Sequence, residues 1–442
     1  MRLDATTLKD LSIFGHTGED VFALLDHTTT QEGRAALRRH IQHPPDHLEA
    51  VQSQQAVTRW WLAQPGAWTD KISNGTLVML EKFFESADNA TVPPAGISLL
   101  LGATLQRWLN RNQYTFIQFS LSHLIDFLNG CTELIALLEE DDLPQLLYTE
   151  LIHMQEQLNH PLVGELLQMG KEISYTRMAR ISYRARRELK TAAQRLMYHY
   201  ARLDAWRALA LATLKLGWAM PELLPSAPVR LEVKALYHPL LQQPVPYDVT
   251  FDAQSHFLLL TGANMSGKTT FMRALGVGAL LAHIGGGVPA NAASFSFLKG
   301  IITNMHVEDD ILRGESFFFA EVQRMKQTAQ RIAEDAPFLV LMDELFKGTN
   351  VYDAYECTRA VVEGLLSRPV HVMILSTHLH EVARHFENRQ DIQFSYFETL
   401  LSEGSYHFTY ELRPGISDDR IGYRILKEQG VIDLLQGKKN DF

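Results

Sequence analysis

Apolar residues recur at intervals of three and four positions along much of the first half of the chain, a spacing typical of helices that bury one face. The stretches with this spacing are 19–25, 33–41, 48–62 and 178–216. A Pro-Pro-Asp sequence at 44–46 is a helix-start signal for the third of them. The pattern predicts an all-α domain over residues 1–225, in which 178–216 forms one extended, lever-like helix.

The pattern changes after a proline-rich segment at 221–228, where three prolines in eight residues end helices and mark a linker. Beyond it, short apolar runs at 257–260, 338–342 and 370–375 are typical of strands buried on both faces of a parallel sheet. Helical patterns lie between these runs. The second half, residues 226–442, is therefore predicted to be an α/β domain.

The composition of the 442 residues is that of an ordinary globular protein, with 46% apolar and 21% charged residues. Cys131 and Cys357 are the two cysteines and have no metal-ligand spacing. No signal peptide is evident at residues 1–4, so we expect a cytoplasmic protein. The most apolar stretches (97–103, 208–216 and 275–284) are shorter than a membrane helix requires. We therefore expect no membrane partner, and a transporter subunit that carries its own membrane domain is excluded.

A glycine-rich segment matches the phosphate-binding pattern G-x-x-x-x-G-K-[ST]. Its residues are Gly262, Ala263, Asn264, Met265, Ser266, Gly267, Lys268 and Thr269, followed by Thr270. It lies between an apolar run and a helical pattern, where backbone N–H groups and a helix N-terminus attract phosphate. We expect the segment to bind ATP, with Lys268 at the β- and γ-phosphates and the Thr269 hydroxyl on Mg²⁺.

Two carboxylates, Asp343 and Glu344, follow the apolar run at 338–342. This arrangement is typical of a Walker B motif, in which Asp343 holds Mg²⁺ and Glu344 orients or deprotonates the attacking water. His378 ends the next apolar run and is expected to contact the γ-phosphate. Together the motifs predict a P-loop ATPase of the ABC type. In that class a serine-containing loop of one subunit covers the nucleotide of the other, and Ser316 is the candidate, which implies a homodimer.

These residues resemble the MutS family of DNA mismatch-repair ATPases over most of the chain. The segments that carry the resemblance are 24–34, 44–58, 237–241, 244–248, 261–269, 287–290, 301–304, 309–316, 341–350 and 377–381. The positions that depart from the family's usual residues are Tyr247 for Asn, Ala263 for Pro, Ser266 for Gly, Phe317 for Thr, and Phe346-Lys347 for Gly-Arg. The resemblance implies an all-α core and lever domain followed by an ABC-type ATPase domain.

The resemblance also implies a function in mismatch repair or recombination. The expected protein is an ATP-driven, dimeric DNA clamp with repair proteins as further partners. We expect the family's mismatch-reading and connector domains to be absent from this chain. A run of basic residues is the candidate phosphate-contacting stripe, although a solvated helix face explains it equally well. Its members are Arg177, Arg180, Arg184, Arg186, Arg187, Lys190 and Arg195.

A second hypothesis is an ATP-gated adaptor of a protein or RNA assembly that does not recognise mismatches. The formal net charge of −10 favours it, because nucleic-acid binding relies on Lys and Arg that neutralise phosphates. The same charge is also what solubility alone requires, and local patches matter more than totals. A transporter-type ATPase is disfavoured, since the chain contains no Leu-Ser-Gly-Gly signature.

Overall fold

A computed structural model describes residues 1–15, 19–86, 111–169, 175–305, 317–334, 336–402 and 405–417, together with residues 431 and 435. The chain divides into two compact units. The first, the sheet unit, comprises 1–24, 42–52 and 215–442, and the second, the helical unit, comprises 25–41 and 53–214. The functional division predicted at residue 225 stays a prediction.

The sheet unit contains a six-stranded sheet with the order β10-β9-β4-β8-β7-β6. Its strands are β4 (Phe257–Thr261), β6 (Gly300–Asn304), β7 (Phe338–Asp343), β8 (Val372–Ser376), β9 (Ile392–Ser402) and β10 (Ser405–Pro414). Neighbouring strands are parallel, except that β10 is antiparallel to β9. A second sheet has the order β1-β5-β2-β3, with β1 (Glu222–Leu224), β2 (Leu231–Leu236), β3 (Tyr247–Phe251) and β5 (Ala292–Ser296).

The apolar runs form the central strands of the six-stranded sheet, as predicted. Every residue of β4, β6 and β8 is buried, and so is all of β7 apart from Asp343 at its end. A strand with both faces covered does not alternate apolar with polar side chains, which explains the largely apolar sequence of these strands. The helices of this unit include α11 (Lys268–His283), α12 (Phe317–Ile332), α13 (Val351–Leu366) and α14 (His380–His385).

The N-terminal residues belong to the sheet unit. Helix α1 (Ala5–Asp10) packs against β6, and the buried carboxylate of Asp10 accepts a hydrogen bond of 2.6 Å from the Thr303 hydroxyl. Arg2 forms a backbone bridge with Gly300. The first residues of the chain therefore extend the edge of this sheet. The prediction of an all-α domain over residues 1–225 did not include this contact. A short helix, α2 (Val21–Leu25), follows them.

The helical unit is built from α-helices around one apolar core. Its helices are α5 (Asn74–Glu85), α6 (Arg111–Ile135), α7 (Gln145–Leu158), α8 (Pro161–Leu167) and α9 (Tyr175–Glu188), with most of α3 (Gln31–Gln42), α4 (Leu48–Ala63) and α10 (Lys190–Leu216). The prediction of one helix over 178–216 is wrong, because the segment forms two helices that separate at Leu189. Leu189 is buried and is neither Pro nor Gly, so no local breaker accounts for the division.

One helical segment, Thr115–Glu139, is long and apolar enough to pass a test for membrane spans based on length and composition. It is not among the apolar stretches singled out from the sequence. Leu124 and Phe127 are fully buried in the core of the helical unit, whereas Phe119 of the same segment is exposed. The core helix of a globular protein passes the same test, so the segment is weak evidence for a membrane.

A buried carboxylate, Asp204, organises the start of the helical unit. It accepts hydrogen bonds of 2.8 to 3.0 Å from the backbone N–H groups and the hydroxyls of Thr29 and Thr30. Burial raises the pKa of Asp204, and the four donors act in the opposite direction without cancelling this rise. A Cβ atom on Gly33 would lie only 2.6 Å from Asp204 Cγ. Glycine is therefore required at this close approach.

We expect Gly33→Ala to lower the free energy of unfolding of the helical unit by about 3 kcal/mol, because the added methyl group displaces the buried carboxylate from its donors. Urea unfolding followed by tryptophan fluorescence measures this, since Trp60, Trp61, Trp68 and Trp206 lie in this unit. Gly164→Ala is the matched control, since a Cβ there has no neighbour within 4 Å. Equal stability of the two variants would contradict the close contact.

Candidate functional site

The glycine-rich segment forms a tight turn between β4 and α11. Gly262 and Gly267 have φ angles of +133° and +115°, which L side chains rarely adopt. A Cβ on Gly262 would lie 3.3 Å from the backbone of Phe397, and one on Gly267 would lie 3.3 Å from the ring of Phe397. The turn therefore needs both glycines for their conformation and for the close packing of Phe397. Helix α11 begins at Lys268, directly after this turn.

The side chain of Lys268 lies inside this turn. Its Nζ donates hydrogen bonds of 2.9 Å to the carbonyl oxygens of Gly262 and Ala263. The residue is only 5% exposed, and this burial lowers its pKa, while the nearby carboxylates of Glu344 and Asp343 act in the opposite direction. The turn thus concentrates a cation and backbone N–H groups in one small space, which suits an anion with several oxygens.

The carboxylate of Asp343 lies at the C-terminal end of β7 and joins three elements. Its Oδ2 accepts a hydrogen bond of 2.7 Å from the Thr269 hydroxyl on α11. Its Oδ1 accepts one from the Ser376 hydroxyl at the end of β8. Oxygen ligands of this kind are those that Mg²⁺ prefers. Ser376 is not among the residues predicted for the site, although its position directly before Thr377-His378 was a usable signal.

Glu344 follows Asp343 and has a φ angle of +53°, so it leaves the strand in the left-handed conformation. One carboxylate oxygen lies 2.8 Å from Lys347 Nζ, and the other contacts His378 Nε2. Burial by itself would raise the pKa of Glu344, but the contacts with His378 and Lys347 outweigh it and lower the pKa to about 2. The carboxylate is therefore ionised and held between two basic groups.

The loop after Glu344 is fixed by a residue that the sequence analysis missed. Glu321, on α12, accepts hydrogen bonds of 3.1 and 3.0 Å from the backbone N–H groups of Lys347 and Gly348. Only 8% of Glu321 is exposed. Because the two partners are about 26 residues away along the chain, no local sequence pattern indicates this contact.

A pocket of about 470 Å³ lies beside the glycine turn. Its apolar and aromatic lining includes Leu241, Val245, Tyr247 and Tyr410, and its other side is formed by the turn itself and by Glu344. Burial, with a further contribution from Tyr410, raises the pKa of Tyr247 to about 12, so the Tyr247 phenol is neutral. The pocket therefore has the glycine turn and Glu344 on one side, and apolar and aromatic side chains on the other.

The structure brings five of the predicted site residues together, namely Lys268, Thr269, Asp343, Glu344 and His378. Asn264, Met265, Ser266, Gly267 and Thr270 line the adjoining pocket, with Gly262 and Ala263 in the same turn. Ser316 lies outside the described residues. This arrangement can hold an anion and a hard divalent cation side by side, with an ionised carboxylate next to both.

The basic run of the helical unit is largely engaged in contacts of its own. Arg184 forms ion pairs with Glu165 and Glu188. The guanidinium of Arg186 is half-buried over the ring of Phe83, 4.8 Å from its centroid. Arg187 donates a hydrogen bond to the Tyr183 hydroxyl. These contacts support the interpretation of the run as a structural helix face for at least three of its members.

Comparison with known proteins finds similar sequences for the part of the chain that contains the candidate site. Residues 258–435 match the family model described as MutS domain V. The DNA mismatch repair protein MutS 1 of Halobacterium salinarum (strain ATCC 29341 / DSM 671 / R1) is 32% identical over 52% of this chain and 26% of its own length. The DNA mismatch repair protein MutS of Exiguobacterium sp. (strain ATCC BAA-1283 / AT1b) is 30% identical over 57% of this chain and 30% of its own.

Residues 258–435 of this chain are therefore similar to MutS domain V. The match spans less than a third of the length of these curated relatives. The family-model match covers the glycine turn, Lys268 at the start of α11, Asp343 at the end of β7 and His378 after β8. The resemblance expected from the motifs thus holds for the part of the chain that contains the candidate site.

We expect Glu344→Gln to be less stable than the wild type, because the substitution removes the negative charge that Lys347 and His378 contact. A folded-state pKa of about 2, below the ordinary 4.5, adds stability that is fully present above pH 4.5 and is lost as the pH falls toward 2. Because both basic partners are partly exposed, the variant should be about 1 kcal/mol less stable at neutral pH. Urea unfolding at several pH values measures the difference, and a difference that did not shrink on acidification would contradict the assignment.

Proposed function

We propose that this chain is an ABC-type P-loop ATPase that binds and hydrolyses ATP with Mg²⁺. The observation that carries the proposal is the junction of Lys268, Thr269 and Asp343. There, a buried ammonium group, a hydroxyl and a carboxylate lie together at the C-terminal ends of parallel strands, where α/β proteins bind ligands. The resemblance of the glycine turn to the family's nucleotide-binding segment agrees with it.

The triphosphate would lie in the glycine turn at the N-terminus of α11. Lys268 Nζ would exchange the carbonyl oxygens of Gly262 and Ala263 for β- and γ-phosphate oxygens. The base would lie against the apolar wall of the adjoining pocket, where Tyr247 and Tyr410 offer aromatic rings. The triphosphate would thus lie on the polar side of the pocket, and the base would lie on its apolar side.

Thr269 and Asp343 would hold Mg²⁺, and their hydrogen bond of 2.7 Å already places both oxygen donors on one side of the turn. The ion supplies charge neutralisation on the β- and γ-phosphates. Ser376 keeps the Asp343 carboxylate oriented through its other oxygen. Glu344 would position the attacking water, and His378, in contact with Glu344, would detect the γ-phosphate.

We expect Lys268→Ala to weaken ATP binding by about 100-fold or more, because the triphosphate loses its buried cation and retains only backbone donors. Titration with a fluorescent ATP analogue measures the affinity. Lys326→Ala is the matched control, since Lys326 is exposed and does not line the pocket. Undiminished affinity in Lys268→Ala, with the control unchanged, would overturn the assignment of the site.

We further propose that the ATPase acts in a cytoplasmic homodimer that binds DNA in mismatch repair or recombination. The names of the relatives, which are DNA mismatch repair proteins, support this assignment. Ser316 of one subunit would cover the nucleotide of the other. An ATP-gated adaptor of a protein or RNA assembly is the second candidate. The engaged arginines of the basic run and the net charge of −10 favour the adaptor.

DNA binding separates the two candidates. If the chain is a DNA-binding ATPase, we expect affinity for a mismatched or branched duplex to change with ATP and to fall steeply with salt, since phosphate contacts release counterions. Fluorescence anisotropy with matched, mismatched and branched duplexes, with and without ATP, measures both effects. Absence of binding at low salt, by protein that still binds ATP, would reject the DNA clamp and leave the ATPase assignment intact.

A further inference from the structure

Two histidines and a glutamate form a cluster in the helical unit that the proposed ATPase does not use. Glu150 and His153 lie one turn apart on α7, and His199 lies on α10. One donor atom from each residue lies within 4.8 Å of the others. Within the described part of the chain, no other group of three or more His, Cys, Asp or Glu side chains has this geometry.

The carboxylate of Glu150 is the buried member of this cluster. The residue is 4% exposed, and its Oε1 lies 2.5 Å from Arg202 Nη1. Its Oε2 lies 2.6 Å from His199 Nδ1. The guanidinium thus occupies one oxygen and fixes the orientation of the carboxylate, while the other oxygen faces the two imidazoles. Partners outside the ligand set that orient a ligand in this way are common at metal sites.

The two imidazoles differ in exposure. His153 is exposed, whereas the side chain of His199 is only 14% exposed, and the ring centroids are 5.4 Å apart. The cluster therefore opens to solvent at His153, where water can complete a coordination shell. Two imidazole nitrogens and one carboxylate oxygen form a ligand set typical of Zn²⁺ with one open position. Mg²⁺ and Ca²⁺ prefer oxygen ligands and fit it poorly.

We propose that Glu150, His153 and His199 bind one Zn²⁺ ion. The metal replaces the hydrogen bond between His199 Nδ1 and Glu150 Oε2, and these two atoms separate to about 3.3 Å to accept bonds of about 2.1 Å. The site joins α7 to α10 and includes none of the residues proposed to bind ATP. Its function is to link these two helices of the helical unit through the bound ion.

The test is a titration of the full-length chain, freed of metal with a chelator, against Zn²⁺ in competition with a chromogenic chelator. Excess Mg²⁺ is present throughout to occupy sites made of oxygen ligands. We expect one strongly bound Zn²⁺ per chain and binding weakened by about tenfold or more in His153→Ala. His153 is the best position to change because it is exposed, so the variant should fold normally.

His43→Ala is the matched control, since it removes another exposed histidine of the chain. A second readout is the tryptophan unfolding transition, which Zn²⁺ should shift to higher temperature in the wild type and in His43→Ala, but not in His153→Ala. Equal Zn²⁺ affinity in wild type and His153→Ala would overturn the proposal. Less than one Zn²⁺ per chain in the wild type would do the same and would leave the cluster as an ion-pair network around Arg202.

Discussion

The carboxylate of Asp343 is the point on which the candidate site depends. It accepts hydroxyl hydrogen bonds from Thr269, which follows β4, and from Ser376, which ends β8. These donors meet because β4, β8 and β7 are adjacent parallel strands, so their C-terminal ends lie at one edge of the sheet. The fully buried strands fix that edge, since their aliphatic side chains leave little room for one strand to shift against the next.

The contacts of Glu344 with Lys347 and His378 limit its ability to act as a general base. A general base works best when its pKa lies near the operating pH, and a carboxylate with a pKa of about 2 is a weak base. The contacts with Lys347 and His378 that keep Glu344 ionised therefore reduce its ability to take a proton. In this arrangement, orientation of a water molecule suits Glu344 better than abstraction of its proton. Proton abstraction would require one of these contacts to break first.

The sequence predicted the parts of the fold that local pattern determines. The strands at 257–260 and 338–342 and the glycine turn each rest on consecutive residues, so their signals survive without tertiary information. The contacts of Glu321 with the loop at 347–348, and of Asp10 with Thr303, join residues distant in the chain and have no local signature. The break at Leu189 has no local signature either, since no proline or glycine marks it.

Phe346 shows how a departure from the family's usual residue can be tolerated. It stands where the resemblance expects glycine, and its φ angle of +61° costs a non-glycine residue about 1 to 2 kcal/mol. Its side chain is 5% exposed, however, and its ring centroid lies 6.0 Å from that of Phe318 on α12. Burial of a phenylalanine contributes about 1.5 to 3 kcal/mol, which offsets the strain. The loop thus keeps its left-handed conformation through packing, where a glycine would keep it through freedom of the backbone.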